Sequence, residues 1–276
     1  LAYRTYQFSG SGFTGLFDAK NKCATELSFG IAFAVLTYRM ADDRGERKAL
    51  LVLILSQFLL LIPADSLGAL AATLLVLLYL CVLEPMLEDR FRLPIGWLVT
   101  LGSVGFPIFS ITVLPLFSGM LQAFGKDATL TGRVDLWKRV ILVMSGSHTM
   151  TGYGYAGFWR NASAVSLIQH GFDKYSFLGN ITTGAHNFVM ELWLNLGLLG
   201  ILLLYLTILV MTGRVFEMER DSYLFCVTFF LLFLVKGFTE RMLVDANGYD
   251  VLFLFLSLGY AGRRPSSRSP LGRQLQ

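Results

Sequence analysis

Seven apolar stretches, at 24–38, 49–63, 67–83, 93–118, 188–212, 222–238 and 243–261, divide this chain into short polar connections and one long one. Runs of this kind suit a bilayer better than water, since a lipid core about 30 Å thick is crossed by about 20 apolar helical residues. The first three are short and require local thinning or flanking side chains that reach the headgroups. Pro107 and Pro115 in the fourth predict a kink or break. Composition points to the same solvent: 54% of the 276 residues are hydrophobic and 15% charged. A soluble domain carries roughly a quarter charged residues. The expected fold class is therefore all-α, a polytopic membrane helical bundle with about seven spans.

Lys and Arg gather in alternate connections. Arg39, Arg44, Arg47 and Lys48, then Arg90 and Arg92, then Arg214 and Arg220, then the tail arginines fall on one side. The opposite turns carry none at 64–66 and only Arg241 at 239–242. The positive-inside rule makes the basic side cytoplasmic. Segment 1–22, a large periplasmic loop 119–187 and the turn at 240–245 then face outward. Residues 1–261 read as one membrane domain. Residues 262–276, rich in Arg, Ser, Pro and Gly, read as a disordered cytoplasmic tail. Leu1 opens no signal peptide; the first residues read as a loop in progress, so further spans are expected ahead of them. The net charge of +4 is dispersed between apolar runs, which argues against nucleic acid as a partner. Cys23, Cys81 and Cys226 have no metal or redox spacing, and no disulfide is expected.

The loop 119–187 holds six Lys/Arg and three Asp, hence +3. Within it Val134, Trp137, Val140, Ile141 and Met144 recur at helical spacing. Thr131 can cap that helix and Asp135 suits its first turn. Residues 133–144 are thus expected to form an amphipathic helix on the membrane or on the bundle. Gly152-Tyr-Gly154 marks a turn.

Four polar groupings can carry chemistry. Arg4, Gly12-Phe-Thr-Gly15 and Lys20-Asn21 can shape a pocket for phosphate or a sugar hydroxyl, or form an ordinary juxtamembrane loop. Arg133 can meet an anion, with Trp137 on the apolar face; an interfacial helix with a snorkelling Arg and a belt Trp has the same pattern. His186 and Asn187 open the fifth span and Glu191 lies within it. They offer a base that works near neutral pH and a costly intramembrane acid, or a polar cap at headgroup level. Glu240 and Arg241 are adjacent and need partners from elsewhere. No P-loop, dinucleotide fingerprint, Ser/His/Asp order or Asp-x-Asp occurs, so neither a cofactor nor a metal is expected.

In order and spacing, several motifs resemble the O-antigen ligase and O-antigen polymerase superfamily of bacterial membrane proteins. They are Gly15-Leu-Phe-x-x-Lys20-Asn21, Thr131-Gly-Arg133-x-Asp-Leu-Trp137, Gly152-Tyr-Gly154 with Phe158-Trp159, and His186-Asn187 followed by Glu191 and Asn195-Leu-Gly197. Lys20-Asn21 and Thr239-Glu240-Arg241 before Asn247 look like its exopolysaccharide polymerase branch. The resemblance covers residues 4–260. It implies an inner-membrane glycosyltransferase, metal-independent and inverting, that takes a sugar chain from undecaprenyl diphosphate on the periplasmic face. A polymerase passes the chain to another lipid-linked repeat, a ligase to lipid A core, an oligosaccharyltransferase to a protein hydroxyl. A polysaccharide transporter or flippase is the competing class, but the inverted repeat such proteins show is missing.

By matched position the resemblance gives Arg133 the diphosphate and His186 the acceptor hydroxyl. Arg4, Lys20, Asn21, Trp137, Trp159, Asn187, Glu191, Glu240 and Arg241 are further substrate-binding candidates. The implied partners are an undecaprenyl-diphosphate-linked oligosaccharide, the growing polysaccharide, a chain-length regulator and export machinery. Family members usually have more spans than the seven counted here.

Overall fold

The computed structural model describes residues 8–9, 12–17, 19–87, 92–112, 116, 133–169, 184–213, 218–238 and 240–242. Arg4, Pro115, the seventh expected span, the tail and parts of the long loop lie outside them. The described chain is almost wholly helical: α1 (Lys20–Met40), α2 (Arg44–Leu61), α3 (Leu67–Leu78), α4 (Glu84–Leu87), α5 (Ile95–Thr112), α6 (Arg133–Met144), α7 (Gly157–Arg160), α8 (Ala162–Gln169), α9 (Phe188–Thr212) and α10 (Arg220–Gly237). A π-helical turn, Tyr79–Leu83, joins α3 to α4. Two short antiparallel strands, Phe8–Ser9 and Gly12–Phe13, precede α1. The amide of Phe13 donates to the Pro63 carbonyl at 2.8 Å, docking this hairpin on the turn after α2.

α1 and α2 start earlier than the apolar runs suggest. The Asp43 side chain accepts from the Glu46 amide at 2.8 Å and caps α2, so Arg44, Arg47 and Lys48 belong to helix rather than loop. α1 likewise begins at Lys20, which puts Lys20 and Asn21 on its first turn.

α10 is apolar on nearly every side and buries Phe229, Phe230, Leu232 and Phe233 against α1, α3 and α5, as a central helix must. α2 is its opposite. It buries only Ile54 and Leu61 and leaves Val52, Leu55 and Leu59 exposed. Together with the exposed leucines of α3 and α9, this apolar surface needs a non-aqueous cover. Among the described residues, Leu67–Leu87 and Phe188–Val210 are long and apolar enough to cross a membrane, and Trp97–Thr112 is shorter. The seventh expected span lies outside the described residues, and α1, α2 and α10 carry charged residues that make them less apolar than these.

At one end of the bundle the buried Glu84 carboxylate accepts from Arg39 and, at 2.8 and 2.9 Å, from Arg220. This ties α1, α4 and α10 together. Two-sided ion pairing is what allows a carboxylate to be buried.

The long loop makes a second core. Trp137, Val140 and Met144 of α6, Phe158 of α7 and Ile168 of α8 are fully buried with Leu194 of α9, and Phe106 of α5 packs against them. Of the two places open to the amphipathic helix, α6 takes the bundle. What holds the loop down is a break in α9. Gly197 adopts φ 67°, and the amides of Leu198 and Leu199 turn to the carbonyls of Thr149 and Met150 at 3.0 and 3.1 Å. The Tyr153 amide donates to Leu194 at 2.9 Å, so loop and helix interlock through backbone.

Candidate active site

At the end of the bundle away from Glu84, polar residues from four segments converge. Asn21, on the first turn of α1, donates its Nδ2 to Glu240 Oε1 at 2.9 Å. The Arg133 guanidinium, at the start of α6, lies 3.9 Å from the same oxygen. That is an ion pair without a well-formed hydrogen bond. The Glu240 amide donates to the Lys236 carbonyl at 2.9 Å, which makes Glu240 a continuation of the last turn of α10. Asn187 caps α9 by accepting from the Met190 amide at 3.1 Å, and donates to the Phe238 carbonyl at 3.2 Å. One amide side chain thus joins the start of α9 to the end of α10.

His186 stands one residue before that cap with φ 49°, a left-handed conformation unusual outside glycine. It is therefore off the helix. Burial pushes the imidazole down to about 4, aided by the nearby positive charges of Arg133 and Arg241. At neutral pH it is an uncharged base. The Arg241 side chain runs along Gly184, where a Cβ would meet its Cδ at 2.9 Å. Burial also draws Arg133 down from the usual guanidinium range, with Glu240 opposing, and raises the Glu240 carboxyl against the pull of the surrounding cations.

Three of the expected substrate-binding residues take a different place. Trp137 is fully buried and donates Nε1 to the Ala185 carbonyl at 2.9 Å. Glu191, buried in α9, accepts from Trp159 Nε1 at 2.7 Å and from the Ala185 amide at 2.7 Å. Both peptide groups that flank the His186 approach are thereby held from behind, and Trp137, Trp159 and Glu191 frame His186. Lys20 stands apart from the cluster, paired with Asp65 at 3.1 Å. Arg4 lies outside the described residues. Asn21, Arg133, His186, Asn187, Glu240 and Arg241 are the ones brought together.

Sequence reading missed one member. Lys236 in the last turn of α10 is fully buried, and its charged neighbours are Glu240 and Arg133. The available signal was spacing: Lys236 and Glu240 are four apart, one helical turn, at the outer end of an apolar run. Among the described residues no three His, Cys, Asp or Glu side chains gather as a metal site requires. The cluster can offer guanidinium and ammonium donors to an anion and an unprotonated imidazole to a hydroxyl.

A family model described as O-Antigen ligase matches residues 49–205. The chain is also similar to "Exopolysaccharide production protein ExoQ" of Rhizobium meliloti (strain 1021), with 31% identity over 101 residues, 37% of this chain. The match spans 22% of that relative's length. No solved structure matches the chain.

Proposed function

This chain belongs to the O-antigen ligase family, and from that premise we propose that it transfers sugar chains from undecaprenyl diphosphate on the periplasmic face of the inner membrane, extending an exopolysaccharide or O-antigen. The observation that carries the reading is the convergence of Asn21, Arg133, Asn187 and Glu240 from four segments at the end of the bundle where His186 stands at a left-handed turn. A hydroxyl of the acceptor repeat attacks the anomeric carbon from the side opposite the diphosphate. The new C–O bond forms as the old one breaks, the electron pair passes to the diphosphate oxygen, and the configuration inverts. His186 takes the hydroxyl proton. Arg133 and Arg241 meet the charge that grows on the leaving oxygen, which is where fixed donors lower a barrier most. Two arginines supply this without a metal.

The seven-span topology, with residues 119–187 periplasmic and 262–276 cytoplasmic, belongs to the same proposal. So do the chain-length regulator and export machinery as partners. Similarity to a protein named for exopolysaccharide production favours polymerisation; the description of the matching family favours ligation. Glycan analysis of a deletion strain separates them. Single lipid-linked repeats without long chains are the expected result. Finished lipid-linked polymer that never reaches an acceptor means a ligase, and unchanged glycans refute both.

A further inference from the structure

Lys236 is the most expensive side chain in the described structure. It has no exposed surface, and its Nζ has no hydrogen-bond partner among the described residues. A buried ammonium left this way is destabilising relative to an apolar isostere. Stability alone would favour methionine here. The lysine is not stranded in an apolar region, however. Glu240 lies one turn further on and Arg133 faces it from α6. Across the cluster, Arg133, Lys236 and Arg241 stand against two carboxylates, Glu240 and, facing Arg241 from behind, Glu191. Cationic groups therefore outnumber carboxylates by three to two, which leaves the cluster suited to an anion such as a diphosphate ester. The anchoring is also stiff. Gly237 packs on Phe188, where a Cβ would lie 3.4 Å from the Phe188 Cβ, and Asn187 holds the Phe238 carbonyl.

We propose that Lys236 and Arg133 form a buried seat for a diphosphate, with Glu240, paired with Arg133 and one helical turn from Lys236, as the internal counter-ion until the anion arrives. The proposal rests on the lipid-linked donor named above and adds the residue that binds its phosphates. Glu240 supplies one acceptor loosely, at 3.9 Å from Arg133. A diphosphate supplies several at hydrogen-bonding distance to both cations.

The test uses the full-length protein in lipid nanodiscs, titrated with undecaprenyl diphosphate and, separately, with inorganic pyrophosphate. Lys236→Met is expected to bind undecaprenyl diphosphate about tenfold to a hundredfold more weakly, the loss of one or two charged hydrogen bonds. Its thermal stability should match or exceed wild type, since the buried charge is gone. Lys236→Arg should recover part of the binding. Equal binding by wild type and Lys236→Met overturns the seat while leaving the transferase reading intact. A Lys236→Met protein that loses stability, with Lys236→Arg restoring stability but no affinity, also overturns it, because the lysine then serves the fold. If wild type binds pyrophosphate in a Lys236-dependent way but ignores undecaprenyl diphosphate, the seat stands and the lipid-linked donor falls. Wild type that binds neither refutes both.

Discussion

Gly197 in α9 lies so close to Met150 in the loop that a Cβ on the glycine would stand 2.2 Å from the Met150 carbonyl oxygen. Gly152 returns the contact, since its own Cβ would sit 2.7 Å from the Gly197 nitrogen. Two glycines at positive φ therefore let a helix and a loop exchange backbone hydrogen bonds. Gly197→Ala must both strain φ and displace the loop, and about 3 kcal/mol or more of stability should be lost. Gly105→Ala in α5 meets nothing within 4 Å and should be neutral or stabilising by about 0.5–1 kcal/mol. Thermal unfolding of both variants in nanodiscs checks the contrast; equal melting temperatures would falsify the interlock.

His186 should shape the pH response in two ways. Its folded value of about 4 lies below the usual 6.5, so the unfolded chain binds more protons between those values. The stability contribution is complete above pH 6.5 and is lost as pH falls toward 4. Transfer by a neutral imidazole should hold its rate from neutral pH down through 6.5, with the acid limb set nearer 4. His186→Asn, which tolerates the left-handed backbone, should keep the melting temperature at neutral pH and lose at least about a hundredfold in rate. An acid limb centred at 6.5 would contradict the burial of this ring.

Glu191 frames the site from behind. Glu191→Gln turns one acceptor into a donor facing either Trp159 Nε1 or the Ala185 amide. A loss of about 1–3 kcal/mol in stability follows. Trp159→Phe removes one of the three hydrogen bonds to this carboxylate and should cost less. In both variants kcat should fall while KM for the lipid-linked donor changes little, because the base is displaced and the diphosphate contacts remain. A selective rise in KM would instead place Glu191 against the substrate.

Glu240→Gln keeps an oxygen for Asn21 and removes the negative charge beside Arg133 and Lys236. Binding of undecaprenyl diphosphate should tighten by about tenfold, as an internal competitor for the cations is lost. Salt should weaken the wild-type complex and the variant complex alike. Weaker binding by Glu240→Gln would show that the carboxylate assists the ligand.

The apolar runs, their basic flanks and the helix at 133–144 were legible in the sequence. They depend on period, length and end residues, which are local properties. The motifs around Arg133, His186 and Glu240 were legible as separate pieces for the same reason. Their division of labour was not. That Trp137 and Glu191 spend their polar atoms on Ala185, that Asn21 reaches Glu240 across 219 positions, and that Lys236 joins them are outcomes of long-range packing. Spacing along a helix says which residues share a face, but it says nothing about which face meets another segment. The break at Gly197 shows the same limit: a glycine in an apolar run is compatible with an unbroken helix until a loop carbonyl arrives to claim the freed amides. Local chemistry determined the helices and supplied the charges; tertiary contact decided which charges face one another, because that depends on segments the chain brings together only by folding.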